Sequence, residues 1–265
     1  MDRLAEALRR IVPHQLKKKL KKLFFMGGRY YCNVCDSSLK KFIPAGYSNK
    51  AIENLDIIGA GYYSNDVCPV CDSSYRTRAV VALLEDMQLT YHDKRILHIA
   101  PEQGLYDYFT KKSPLNYVCG DINPEKYSHF ASTVFVDLTK IPFPSESFDL
   151  IICNHVLEHI PDDEKAMGEI FRVLAKRGSA VLQVPVSTKL KQTLEDDSVD
   201  TPEKRLVEYG QDDHVRVYTQ SDYVQKLTDA GLMVSVTNTK NLIKDAKHEK
   251  LAMDKREDLF LCVKP

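Results

Sequence analysis

The feature that most constrains this chain is "FDLIICN", residues 148–154, a short run with an unbroken apolar centre. It is too short for a helix and too apolar for a strand with one wet face. Such a run belongs in the middle of a parallel sheet covered on both sides. Similar runs recur around it: "ILHIA" at 96–100, "YVCGD" at 117–121, "TVFVD" at 133–137, "SAVLQVP" at 179–185 and "DLFLCV" at 258–263. Helical patterns separate them. "DDEKAMGEIFRVLAKRG" has an acidic first turn, Met167, Ile170, Phe171 and Leu174 on one face, and Gly178 as its expected stop. "SDYVQKLTDAGLMVSVTNT" reads as a Ser-capped helix, a glycine break and a strand. This alternation over 95–265 predicts an α/β fold with an open, doubly wound sheet. Sheets of that kind bind ligands beyond the carboxyl ends of their strands, so the residues that end each strand are the candidates for a site.

With 265 residues, 43% of them hydrophobic, the chain is long enough for one large domain and a small appendage. Seven cysteines, an odd number that includes two Cys-x-x-Cys pairs, argue against a secreted disulfide scaffold. No run approaches the roughly 18 apolar residues of a transmembrane segment, and no signal-peptide core with a cleavage site is present. A cytoplasmic location is expected.

The net charge of +0 hides an asymmetry: residues 1–50 carry 12 Lys and Arg against 3 Asp and Glu. A basic end on an acidic body suits a polyanionic neighbour such as RNA, anionic lipid or a phosphorylated substrate, or is simply a solvated helix face. "MDRLAEALRRIVPHQLKKKLKKLFFMGG" has Leu4, Leu8 and Ile11, then Leu16, Leu20 and Leu23, at helical spacing. Pro13 splits it into two helices, and Gly27-Gly28 is the expected end of the second. The Lys-rich half, with Leu and Phe opposite, fits an anionic membrane surface, which would make the protein peripheral to the membrane. Packing on the domain body is the alternative.

"CNVC" and "CPVC" place Cys32, Cys35, Cys68 and Cys71 in two knuckles. Four thiolates suit a tetrahedral structural zinc with no open position, although the gap between the pairs exceeds the common one. Cys119, Cys153 and Cys262 lie in strand-like runs and are expected in the core.

The strand ends are Ala100-Pro101-Glu102, Asp121, Asp137 and Asn154-His155. Asp121 lies 17 residues beyond Gly104, close to where dinucleotide folds hold a ribose diol. Residues 136–185, "VDLTKIPFPSESFDLIICNHVLEHIPDDEKAMGEIFRVLAKRGSAVLQVP", resemble the central block of class I S-adenosylmethionine-dependent methyltransferases, notably the small-molecule branch. The resemblance covers roughly 95–240. With its paired cysteines and "GQDDHVRVY", the whole chain is similar to a bacterial group with an N-terminal zinc ribbon.

The resemblance implies a Rossmann-like, seven-stranded sheet whose last strand is antiparallel. It makes "RILHIAPEQG" the cofactor loop, with His98 at the usual acid, Ala100 and Glu102 at the first two glycines, and Gly104 retained. Glu102 is then expected to pair with the cofactor's amino group in place of backbone contacts. Asp121 falls at the ribose, with Ile122 a further cofactor-binding residue, Asp137 and Leu138 at the adenine, and Asn154 beside the methyl donor.

"NHVLEHI" gathers His155, Glu158 and His159 at a strand end, and "DDHVRVY" adds His214. These are the candidate catalytic residues, with His155 or His159 as general base. The same set resembles, one ligand short, the divalent-metal site of some metal-dependent methyltransferases. The expected organisation is therefore basic helices over 1–28, a zinc-ribbon subdomain over 29–73, and a methyltransferase domain over 74–265 with insertion 186–217 as an acceptor-side lid. The expected reaction is methyl transfer to an oxygen or nitrogen of a small-molecule or glycan-type acceptor. An RNA methyltransferase and a non-catalytic binding protein on the same fold are the rival readings.

Overall fold

The computed structural model describes residues 14–88, 91–112, 116–130, 133–243 and 245–265. The first of the two predicted N-terminal helices and its Pro13 break lie outside these residues. In chain order the strands are β1 (Met26–Cys32), β2 (Ser37–Leu39), β3 (Ile43–Ala45), β4 (Ile57–Ile58), β5 (Tyr63–Val67), β6 (Ile96–Ile99), β7 (Tyr117–Asp121), β8 (Thr133–Phe135), β9 (Phe148–Asn154), β10 (Leu174–Gln183), β11 (Val186–Ser187), β12 (Met233–Asn238) and β13 (Asp258–Val263). The helices are α1 (His14–Phe25), α2 (Lys50–Leu55), α3 (Tyr75–Asp86), α4 (Gln103–Lys112), α5 (Asp163–Val173), α6 (Pro202–Glu208), α7 (Gln220–Asp229), α8 (Thr239–Leu242) and α9 (Asp245–Leu251).

Seven strands form one sheet in the order β12-β13-β10-β9-β6-β7-β8. β6 pairs in parallel with both β7 and β9, while β13 runs antiparallel to both β10 and β12. The α/β fold and the antiparallel last strand are as expected. Strand alternation sends Ile96, Leu150, Ile152, Val181 and Leu259 to one face, and Leu97, Ile99, Ile151, Cys153, Leu182 and Phe260 to the other. The first face is covered by α3 and the cysteine knuckles, the second by α5 and α7. Sandwiched in this way, α3 is buried at every position from Thr77 to Leu84. A helix apolar nearly all round is stable only when it is covered nearly all round. Cys119, Cys153 and Cys262 are buried as expected.

Three local boundaries differ from the sequence reading. α5 stops at Val173, not at Gly178, because Leu174 turns extended, is fully buried and pairs with Phe148. α7 is capped by Thr219, whose side chain accepts the Asp222 amide, so Ser221 lies inside the helix. Gly27 and Gly28 belong to β1, because the chain pairs with β2 directly after Phe25. The segment 186–217 is tied to the N-terminal part: β11 pairs with β4, and Asn49 and Tyr47 donate to the Gly210 carbonyl at 2.8 and 3.2 Å.

Candidate functional site at the strand ends

The strand order reverses at β6, with β7 and β8 on one side and β9 and β10 on the other. The crevice at such a switch point is the usual ligand site of an open α/β sheet. Ala100, just beyond β6, has φ 46°, and His155, just beyond β9, has φ 54°. Side-chain-bearing residues rarely occupy this left-handed region, and they cluster at functional sites when they do. Ala100 thus holds a turn that glycine adopts most readily.

Glu102 sits at the start of α4. Its Oε2 lies 2.6 Å from His98 Nε2, and its Oε1 accepts from Asn154 Nδ2 at 3.1 Å. His98 is fully buried in β6, and its Nδ1 is 2.5 Å from the Tyr117 hydroxyl. A polar chain therefore crosses β7, β6 and β9. Burial opposes ionisation of Glu102, but the hydrogen bond and charge of His98, together with Asn154, hold its carboxyl below the usual range. Asn154 Oδ1 is buried without a partner, an acceptor left for a donor in the crevice.

Beside it, Asp121 accepts the Asn123 amide at 2.7 Å, and the neighbouring Ile122 is 59% exposed. Burial, and then the charges of Asp121 and Glu102, push the phenol of Tyr127 up, so this ring lies near both acids. Asp137 accepts the amide and hydroxyl of Thr139, both at 2.8 Å, and these bonds hold its carboxyl down. Leu138 is buried behind it. The Val136 amide donates to the Asp121 carbonyl, joining the two strand ends.

Ala100, Glu102, Asp121, Ile122, Asp137 and Asn154 thus share one edge of the sheet, with His98 beneath Glu102. Gly104 has a different surrounding: a Cβ there would stand 2.8 Å from Ser73 Cβ. Its missing side chain lets α4 pack against the cysteine knuckle.

Next to this edge a short turn, Leu157–His159, carries the His/Glu constellation. Glu158 is 1% exposed, and its Oε1 faces His155 Nδ1 at 3.4 Å, His159 Nε2 at 3.9 Å and His214 Nε2 at 4.0 Å. All four predicted catalytic residues therefore converge. Burial pushes the Glu158 carboxyl up to about 8. Burial, then the charge of Arg76, holds His155 well below the imidazole range. His214 is lowered to about 3 by burial and by its neighbours His159 and Arg76.

A cavity of about 330 Å³ opens beside the cluster, lined among others by Tyr47, Gly59, Tyr63, Ser74, Arg76 and Gln211. Gly59 separates it from His155: a Cβ on Gly59 would lie 3.2 Å from His155 Cε1. Arg76 is held by the Gly59 carbonyl at 2.7 Å. Behind it, buried Glu257 accepts the Tyr75 hydroxyl at 3.0 Å, and burial raises its carboxyl to about 7.

The four knuckle cysteines also converge. Cys32 and Cys71 sulfurs are 3.7 Å apart, Cys35 and Cys68 3.8 Å, and none forms a disulfide. Tetrahedral zinc with bonds of about 2.3 Å places its sulfurs about 3.8 Å apart, so the cluster is compatible with zinc. Ser73 Oγ lies 3.3 Å from Cys32 and 3.1 Å from Cys71, where a supporting hydrogen bond belongs. Fully buried Arg78 donates to the carbonyls of Asp66, Ser73 and Leu251, and burial lowers its pKa against the opposing influence of Cys32, Asp66 and Cys68.

Sequence reasoning missed Tyr117, Arg76, Arg78 and Arg216. Arg216 is fully buried and donates to the carbonyls of Leu157, Ile160 and Pro161 at 3.1, 2.5 and 2.8 Å, clamping the turn that carries Glu158. A charge inside the apolar alternation "HVRVY" was its one signal.

Residues 97–182, from β6 to β10, match a family described as a methyltransferase domain. No curated protein matches the chain in sequence. Among solved structures, a SAM-dependent methyltransferase from Archaeoglobus fulgidus is similar with a TM-score of 0.50 and 16% identity, over 74% of this chain and 96% of that one. An S-adenosylmethionine-dependent methyltransferase from Mesorhizobium loti has a TM-score of 0.49 and 15% identity, over 72% and 98%. The likeness with a TM-score of 0.50 shows the fold, and the family match supports a methyltransferase domain on it.

Proposed function

We propose that this protein is an S-adenosylmethionine-dependent methyltransferase acting on an oxygen or nitrogen of a small, polar, glycan-type acceptor. The observation that carries the reading is the row Glu102, Asn154 and Asp121 at the switch point, inside the segment that matches the methyltransferase domain. When bound there, S-adenosylmethionine supplies an electrophilic methyl group on a sulfonium. Glu102, ionised and braced by His98, is suited to its amino group, with Asn154 Oδ1 as a second acceptor. Asp121 offers a carboxylate to the ribose diol, Ile122 an exposed apolar surface to the adenine, and Asp137 with Leu138 the far side.

The acceptor side is the cavity beside Arg76, whose polar lining suits hydroxyls or an amine. His155, across Gly59 from this cavity and unprotonated at neutral pH, is the base assigned to the attacking atom, with Glu158, His159 and His214 adjoining. Segment 186–217 acts as the lid on this side. We assign the cysteine cluster of the 29–73 ribbon to structural zinc. The exposed side chains of Leu16, Leu20, Leu23 and Phe24 on Lys-rich α1 favour a peripheral anionic-membrane contact over RNA. Among the described residues no helix is long and apolar enough to cross a membrane.

Isothermal titration with S-adenosylmethionine and S-adenosylhomocysteine tests the reading. Micromolar binding to the wild type, weakened at least about tenfold in Asp121→Ala, is expected. No binding to folded, zinc-replete protein would turn the fold into a non-catalytic binding module.

A further inference from the structure

We propose that Glu158, His159 and His214 form a second metal site, holding one divalent transition-metal ion apart from the four cysteines. Their ligand atoms all lie within 4.8 Å of one another. The two imidazole nitrogens stand 3.9 and 4.0 Å from Glu158 Oε1. Those distances are too long for hydrogen bonds, and a carboxylate paired directly with an imidazolium would close to about 2.8 Å. An ion bonded at about 2.1 Å to each ligand separates them by about 3.4 Å in a tetrahedron, which a shift of about half an ångström reaches.

A second observation points the same way. Glu158 is 1% exposed, yet its Oε2 has no partner. A buried carboxylate oxygen left bare is costly unless something fills the space before it. The imidazole of His159 is also aimed: its Nδ1 faces the Asp213 carbonyl at 3.2 Å and the Asp213 carboxylate at 3.5 Å, which turns Nε2 toward Glu158. Metal-bound histidines are oriented by such a partner on the other nitrogen.

The frame is stiff on both sides. The Val215 amide donates to the Glu158 carbonyl at 3.0 Å, and Arg216 clamps the same turn while pairing with Glu195 at 2.5 Å. Arg76 faces the cluster from α3, and the Asp213 carboxylate stands beside His159 on the other side.

Two imidazoles and one carboxylate select borderline ions such as zinc, manganese, iron or cobalt over calcium and magnesium. Three protein ligands leave a position open, and His155, with Nδ1 3.4 Å from the same carboxylate oxygen, is the nearest group to it. On the methyltransferase reading, the open position would take the acceptor's attacking oxygen and make its proton easier to lose. Metal binding itself does not depend on that reading.

The test is metal stoichiometry of the full chain after equilibration with micromolar Zn²⁺, and separately Mn²⁺ or Co²⁺, measured by mass spectrometry. Wild type is expected to retain one ion more than His159→Ala, His214→Ala and Glu158→Gln, all of which keep the cysteine-bound ion. His159 is partly exposed, so its variant should fold, which circular dichroism checks. Asp121→Ala should keep both ions while losing cofactor, which separates failure of the metal site from failure of the proposed function. A single ion per wild-type chain with every metal, or an extra ion that persists in all three variants, overturns the proposal.

Discussion

Glu102, just past the end of β6, is proposed to do with a side chain what backbone contacts do elsewhere, and its own contacts hold it in place. Its carboxylate is braced by an imidazole on one oxygen and an amide on the other. Because these partners outweigh burial, its pKa in the folded protein lies below the ordinary carboxylate value. The resulting stability is present above the ordinary range and is lost as pH falls through the lowered pKa. Thermal unfolding of Glu102→Gln should therefore show a lower midpoint than wild type at pH 7, with the gap closing as the pH falls below the ordinary carboxylate range. A gap independent of pH would assign the effect to packing rather than charge. The sequence named Glu102 and His98 but not Tyr117. That tyrosine meets His98 only because β6 and β7 pair side by side, and nothing within either segment marks the contact.

At the scale of elements, α1 is the outlier. Most helices here bury an apolar face, whereas α1 leaves Leu16, Leu20, Leu23 and Phe24 between 47% and 69% exposed. It is anchored through the ion pair of Lys18 with Asp107 and through Phe25 in the core margin. Exposed leucines beside lysines are what an anionic bilayer surface would bury. The protein should sediment with phosphatidylserine-containing vesicles but not with neutral ones, and Leu20→Glu should weaken this at least about fivefold. Equal recovery with neutral and anionic vesicles would sink the idea. Sequence periodicity was a sound guide to the helices themselves, and less so to where they end. α5 ends early because Leu174 gains more from burial and pairing with β9 than from one further helical turn.

For the whole molecule, the cysteine cluster matters most, because it is not peripheral. Cys32, Cys68 and Cys71 share one hydrophobic core with Ala79, Leu84, Ile96, Leu105 and Ile152. Buried Arg78 ties that core to the Asp66, Ser73 and Leu251 carbonyls, so loss of the cluster's order would propagate into the sheet. On the proposed zinc assignment, removing that metal with a strong chelator should cost at least about 5 kcal/mol. The midpoint should then fall by roughly 10–20 °C for a chain of this size. Thermal scans with zinc content measured alongside provide the check. An unchanged midpoint after complete zinc loss would mean that the thiols stabilise by packing alone.

Much of this protein was decided within short stretches of sequence. Apolar runs of strand length, the glycine and proline punctuation and the two Cys-x-x-Cys knuckles are local signals, because side-chain period and ligand spacing are properties of a few consecutive residues. They determined the α/β class, the strands of the sheet and the identities of the strand-end residues. What only the tertiary structure decided is which of those residues meet. Glu102 reaches Asn154 across 52 positions, His214 arrives from a distant insertion, and Gly104 faces a knuckle rather than the crevice. Parallel pairing sets these meetings. It aligns the ends of strands joined by long crossovers, and the register of that alignment depends on how both faces of the sheet are covered.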